Sequence, residues 1–283
     1  MKKFKNKSIS LMLFSALTFS MMQIIVKILT SVPLMEKVLF RNIISLVFAF
    51  IIIKKNNLRL WGEKYNRKYL FFRAFFGFAG VVLFFYATTQ MLAADAAMIN
   101  KLSPIFVTIL ACIFLKEKIC KINIISLIIS FAGAWLVIKP ELNATLIPIV
   151  AGLSSAIVSA AAYMFITLIG EKEDIYTIVF TFSLFSVVCS IPPILLNFVM
   201  PNLKELMLLL LLGVLAALGQ IALTYAYNES KASDISIYDY SNIIFSSILG
   251  YIFLKEIPDF MSITGGILII VASLIVFIYH KNN

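Results

Sequence analysis

The chain has 283 residues, of which 61% are hydrophobic and 13% charged, with a formal net charge of +10 and a mean hydropathy of +1.00. Soluble domains carry about 25% charged residues, so the excess apolar surface must meet lipid, and a soluble enzyme or nucleic-acid-binding domain is excluded. A spanning helix takes about 20 apolar residues, so ten spans fill these residues and leave no separate soluble domain among them.

The N-terminal MKKFKNK leads into an apolar run from Ser8 to about Leu29. That run is too long for the apolar segment of a signal peptide and no small-residue cleavage site closes it, so it reads as a retained first helix. Further apolar stretches fall at 35–53, 69–91, 95–115 and 122–138, then at 147–170, 175–199, 203–227, 234–254 and 260–279. The punctuation between them is Pro33, Lys54–Lys68, Asp95, Lys116–Lys121, Lys139-Pro140, Glu171–Asp174, Pro201-Asn202, Glu229–Lys231 and Pro258-Asp259. If the N-terminus is cytoplasmic, inside segments hold sixteen Lys/Arg and outside segments four (Lys37, Lys139, Lys204, Lys255). This bias places both termini in the cytoplasm, and it accounts for the net charge without nucleic acid as a partner. Of the cysteines, Cys112 and Cys189 lie in apolar runs and Cys120 in a loop, and the only histidine is His280. No metal, haem or iron–sulfur ligand set exists and no cofactor is implied.

Shifting the chain by 139 residues lays Gly80–Glu117 on Gly219–Glu256 without a gap, with fourteen of 38 positions identical. The matches include Tyr86-Ala87 with Tyr225-Ala226, Asp95 with Asp234, and the Ile-Phe-Leu-Lys-Glu runs beginning at Ile113 and Ile252. Shared Asp, Tyr and Lys-Glu at fixed spacing argue for duplication over chance likeness of apolar helices. The expected fold is therefore an all-α membrane protein of about ten helices in two repeats, 8–139 and 147–279. Five helices per half is an odd number, so the second half inserts inverted. Inverted halves characterise secondary transporters, whose solute site lies near the midplane between repeats.

Several stretches carry a family resemblance: Phe40-Arg41-Asn42, Phe84–Ala87, Asp95-Ala96-Ala97, Ser103-Pro104-Ile105-Phe106 and Phe114-Leu115-Lys116-Glu117. In the second half the matching places hold Tyr225-Ala226, Asp239-Tyr240-Ser241 and Phe253-Leu254-Lys255-Glu256. With these the chain resembles the drug/metabolite transporter superfamily, specifically proteins with paired EamA domains. The resemblance implies ten helices in inverted halves and transport of small metabolites, often as exporters. The Asp-Tyr-Ser form of the ninth helix looks like a branch that includes uptake carriers for metabolites such as S-adenosylmethionine.

A charge at bilayer depth costs at least about 2.5–3.5 kcal/mol, so each needs a reason. At about 1.5 Å per residue, Lys101 lies about 9 Å from the outer start of the fourth span. Asp239 lies about 8 Å from the inner start of the ninth. In a core of about 30 Å the two would be separated by roughly 13 Å, which argues against a direct salt bridge. On this reading Lys101, with Arg41, holds a carboxylate or phosphate of the solute. Asp239 takes its amine or carries a coupling proton. Gln220, Tyr225, Tyr86, Tyr240 and Asn242 complete the candidate binding set, with Gln23 and Tyr163 as further polar groups in the cavity. Lys27 is expected to snorkel to the interface, and Arg73 and the two Leu-Lys-Glu motifs to act as interface charges. Gly77, Gly80, Gly213 and Gly219 suit close helix approach, and Pro104, Pro148 and Pro192-Pro193 suit kinks.

No clustered Ser/His/Asp, HExxH or paired carboxylates exist, so an enzyme is not expected, and the absence of a P-loop leaves ATP no site. The favoured reading is a secondary transporter in the cytoplasmic membrane of a prokaryote. It would move an amino-acid-like, nucleoside-like or similar zwitterionic or anionic solute by alternating access. The alternative is a lipid or polyprenyl-carrier translocase, with a cavity open sideways to the bilayer; a channel is disfavoured.

Overall fold

The computed structural model describes residues 2–115, 121–138, 146–230 and 235–282. Lys116, Glu117, Cys120, Lys139-Pro140, Lys231 and Asp234, all weighed above, lie outside the described residues.

Among the described residues the regular structure is helical. In chain order the α-helices are α1 (Lys2–Ile28), α2 (Leu34–Lys55), α3 (Arg67–Gln90), α4 (Ala93–Asn100), α5 (Ser103–Leu115) and α6 (Lys121–Ile138). They continue as α7 (Leu146–Ile169), α8 (Ile175–Leu196), α9 (Leu203–Asn228), α10 (Ser241–Leu249) and α11 (Phe260–Asn282). Five of them, α1, α3, α7, α8 and α9, are long and apolar enough to cross a membrane by length and composition. The polar punctuation acts as capping. The Asp174 side chain accepts from the Tyr176 N–H at 2.8 Å to start α8. Asn202 and Glu205 form a reciprocal capping box at the start of α9, so the turns end in satisfied backbone groups.

Two expected spans are not single helices. The fourth breaks at Lys101-Leu102, between the eight-residue α4 and α5. Pro104 contributes by lacking an N–H in the first turn of α5, where no intrahelical bond is lost. The ninth opens in a 3-10 turn (Ser236–Tyr240), continues as α10 and ends in a π-helical turn (Gly250–Leu254). That turn stops at Lys255, which adopts a left-handed φ of 57°, and the Glu256 N–H returns to the Gly250 carbonyl at 3.2 Å. With this left-handed stop at the end of the span, the Glu256 side chain meets Lys27 and the Ala93 N–H. Pro148 sits in the first turn of α7, where it costs no intrahelical hydrogen bond.

The principal packing pairs are α1 with α9, α3 with α7, α2 with α8 and with α9, α3 with α8, α1 with α10, α5 with α7, α4 with α10, and α6 with α11. Glycine lets backbones meet at these crossings. A Cβ at Gly213 would lie 2.5 Å from the Phe40 carbonyl, and one at Gly133 would lie 2.6 Å from the Gly265 carbonyl. Small-residue contact of this kind drives association where lipid offers no hydrophobic gain. Large apolar side chains such as Ile128, Trp135, Leu195, Ile252 and Ile267 face outward.

Candidate functional site

Where the broken spans meet α1, α2, α3, α7, α8 and α9, the bundle encloses a cavity. Arg41, Arg73, Asn100, Lys101, Tyr163, Gln220, Asp239 and Asn242 line it, together with Phe19, Phe84, Phe85 and Phe182. Its volume is about 70 Å³, small against the roughly 300–1,000 Å³ of ordinary small-molecule sites.

At its wall Lys101 Nζ donates to Asp239 Oδ2 at 2.6 Å, and both residues are buried. The expectation that these charges stand apart is corrected here. Depth along a straight, uninterrupted helix does not apply, because both spans break or begin irregularly at this level. Because α4 packs against α10, the two break points face one another, and the lysine stem closes the remaining gap. Asp239 Oδ1 has no hydrogen-bond partner among the described residues, so the carboxylate keeps an open acceptor.

Arg41 is held by neutral acceptors, reaching Asn42 Oδ1 at 3.0 Å and Gln220 Oε1 at 3.2 Å. Gln220 is itself oriented by Thr224, donating to its hydroxyl at 3.0 Å, so it serves to position Arg41. Arg73 corrects a second expectation. It is 2% exposed and its guanidinium carbon lies 4.4 Å from the Phe182 ring centroid; it is not an interface charge. Sequence depth again misled, because Gly77 lies one helical turn on. A Cβ there would fall 2.1 Å from Arg73 Nη1, so the missing methyl makes the space the guanidinium occupies. An arginine four residues before a glycine on one face is the signal that was there to be read.

Other expected site residues are placed as follows. Asn242 lines the cavity, but its amide nitrogen donates to the Ala16 carbonyl at 3.0 Å and Ser20 Oγ at 2.6 Å, bolting α10 to α1. Tyr240 is buried in an apolar cluster with Met98, Ile99, Leu102 and Ile243 and does not line the cavity. Tyr225 accepts from Lys7 Nζ at 2.8 Å near the N-terminal end of α1. Tyr86 is half-buried on α3, outside the lining. Tyr163 lines the cavity and stacks on Tyr227 at 4.8 Å. Gln23 donates to the Ala93 carbonyl at 2.6 Å. Lys27 forms an ion pair with Glu256 and donates to the Met91 carbonyl at 2.6 Å, so it is a structural tie more than a snorkelling cation. Glu256 also accepts from the Ala93 N–H at 2.8 Å, which caps α4. Among the described residues no group of acidic, His or Cys side chains is arranged to hold a metal.

Comparison with known proteins places this architecture. The EamA-like transporter family matches residues 6–139 and again residues 146–278. The pseudopaline exporter CntI of Pseudomonas aeruginosa is 31% identical over 270 residues, 94% of each chain. The S-adenosylmethionine uptake transporter of Rickettsia bellii is 28% identical over 212 residues, 71% of this chain and 72% of that one. Human solute carrier family 35 member G1 is 26% identical over 277 residues, 92% of this chain and 76% of its own. A solved crystal structure superposes with a TM-score of 0.70 on 99% of this chain and 96% of that chain at 11% identity, a likeness of fold alone. Matched in both halves and similar along nearly its whole length to curated transporters, this chain belongs to the EamA-like transporter family and is a membrane transporter.

Proposed function

We propose that the chain is a secondary carrier of the cytoplasmic membrane, with both termini inside. It moves a small zwitterionic or anionic metabolite by alternating access between two inverted halves. The observation that carries this reading is the buried Lys101–Asp239 pair, which ties together the interrupted fourth and ninth spans at the cavity wall. Carriers built from inverted repeats bind their solute beside such interrupted helices. The 139-residue shift lays Asn100-Lys101 on Asp239-Tyr240, so the two breaks fall at corresponding places. The packing pairs agree with the exchange: α3 with α7 answers α9 with α1, α5 with α7 answers α10 with α1, and α3 with α8 answers α9 with α2. The α4 helix runs antiparallel to the ninth span, since Ala93 meets Glu256 and Lys101 meets Asp239. Antiparallel pairing of corresponding elements is what a two-fold axis in the membrane plane produces.

In this reading the solute's anionic group engages Lys101 and Arg41. The open oxygen of Asp239 receives the solute's ammonium or a coupling proton. A cavity of about 70 Å³ is too small for a metabolite, so loading requires the halves to part. The test is uptake of a metabolite panel into proteoliposomes, with and without a pH gradient, beside a labelled lipid. Saturable metabolite uptake lost in Asp239→Ala supports the carrier. Movement of the lipid with no metabolite uptake would replace it with the translocase reading.

A further inference from the structure

Arg41 and Arg73 are 4% and 2% exposed, and each guanidinium carbon lies over the same ring, at 5.4 and 4.4 Å from the Phe182 centroid. Both cations are therefore within reach of one small solute. Burying a charge this deep is costly unless an opposite charge meets it. Neither arginine has an ion pair among the described residues, and the Nε of each lacks a hydrogen-bond partner there. Among the described residues the hydrogen bonds of the Arg41 side chain go to the neutral oxygens of Asn42 and Gln220, and Arg73 lies against the Phe182 face. Among the described residues Asp239 is the one carboxylate on the cavity wall, and its Oδ2 is paired with Lys101. Three cations against one carboxylate leave the cavity with two positive charges in excess.

We infer that Arg41 and Arg73 form an anion clamp across Phe182 and that the solute is a dianion, either a small dicarboxylate or a phosphate monoester. A guanidinium presents its donors as a planar fork that matches a carboxylate or phosphate edge in two parallel hydrogen bonds. An arginine kept for structure would bond helix carbonyls, and among the described residues Arg73 bonds none. Gly77 instead leaves room for its Nη1 beside the cavity. Met22, Val81, Phe84 and Phe85 make part of the wall apolar, which suits the carbon spacer of a diacid or the alcohol portion of a phosphate ester, while Asn100, Ser159, Tyr163 and Asn242 keep the rest polar. The inference names the solute class for the carrier reading and rests on it only for movement across the membrane.

The test uses the purified full-length chain in detergent with glutarate and phenyl phosphate as probes, against butyrate and glutaric diamide. At least one dianion should bind about tenfold or more tightly than its monoanionic or neutral counterpart, and which one binds tells carboxylate from phosphate. Arg73→Gln and Arg41→Gln should each lower that affinity at least about tenfold. Arg73→Lys should recover part of it, because charge is kept and the fork is lost. Should Arg73→Gln fold poorly, Gly77→Ala displaces the guanidinium with the charge retained and should weaken the dianion similarly. Binding of neither dianion, diamide binding as tight as glutarate, or a change under twofold in the Arg73 variants overturns the clamp. Dianion binding without uptake into proteoliposomes sinks the carrier reading and leaves the clamp standing. Uptake of monoanions that ignores Arg73→Gln does the reverse.

Discussion

Breaking the Lys101–Asp239 pair one side at a time, and then on both sides, separates its structural from its transport role. Both groups are buried, with side-chain exposures of 8% and 2%. Lys101→Met leaves a carboxylate with no cation on it, and Asp239→Leu leaves a buried ammonium with no carboxylate. Removing one partner of a buried pair costs about 3–5 kcal/mol, whereas replacing both by apolar side chains of similar volume is close to neutral. Each single variant should therefore lower detergent-solubilised stability by about that amount, and Lys101→Met/Asp239→Leu should return to within about 1 kcal/mol of the parent. The interaction energy of the cycle should then be several kcal/mol, well above the ~0.3–0.5 kcal/mol scatter of independent sites. Denaturant unfolding followed by tryptophan fluorescence measures stability, and proteoliposome uptake measures transport. Uptake should be absent in the double variant although it is stably folded. A double variant that still transports would reduce the pair to a brace. Additive destabilisation would show that the two charges are not coupled in solution.

Further outcomes follow from other contacts. Glu256→Gln keeps an acceptor for the Ala93 N–H but removes the ion pair to Lys27. It should cost about 1–3 kcal/mol and expose single cysteines placed near Met91 to membrane-impermeant thiol reagents, and unaltered labelling would refute this latch. Asn242→Ala removes the bonds to Ala16 and Ser20 and should destabilise by about 1–3 kcal/mol, with α1 losing protection in hydrogen exchange. Single cysteines in 56–66 and at position 282 should react with impermeant reagents only from the cytoplasmic side, and labelling from outside would reverse the proposed topology.

Helix positions were legible because apolar runs and polar punctuation carry them. Asn202 and Asp174 appear as chain breakers in the sequence and as caps in the structure. The interruptions at Lys101-Leu102 and before Ser241 were harder to read. Pro104 hinted at the first, but nothing apolar or polar distinguishes the 3-10 turn of Ser236–Tyr240 from one more helical turn. Counting depth through a helix that is not continuous separated Lys101 from Asp239 on paper. Arg73 lies near the end of α3 yet points inward, because distance from the end of a span says nothing about which way a side chain points. The Gly77 gap that admits it is a relation between two helices and Phe182, visible only once α3 and α8 are packed. Tyrosines misled in the opposite direction. Their amphipathic rings suit a cavity wall, an apolar cluster and a hydrogen bond to a cation equally, and Tyr163, Tyr240 and Tyr225 occupy one of each.

The short helix α4 links these observations. Its first backbone N–H is held by Glu256, which follows the ninth span, and the residue after its last turn, Lys101, is held by Asp239 at the start of that span. One eight-residue rod is thus fastened at both ends to the same partner, by an acidic side chain each time. A rod so fastened cannot slide along the ninth span unless one fastening opens. The Lys27–Glu256 end lies away from the cavity, and the Lys101–Asp239 end forms its wall. On the proposed carrier reading, a solute that competes for Lys101 or Asp239 would loosen one end while the other stays fixed, and α4 would tilt about Glu256. Such a tilt would couple binding at the cavity to helix rearrangement, because the fourth span is interrupted between α4 and α5 and α4 can move without α5. An uninterrupted helix would have to carry its entire length with it.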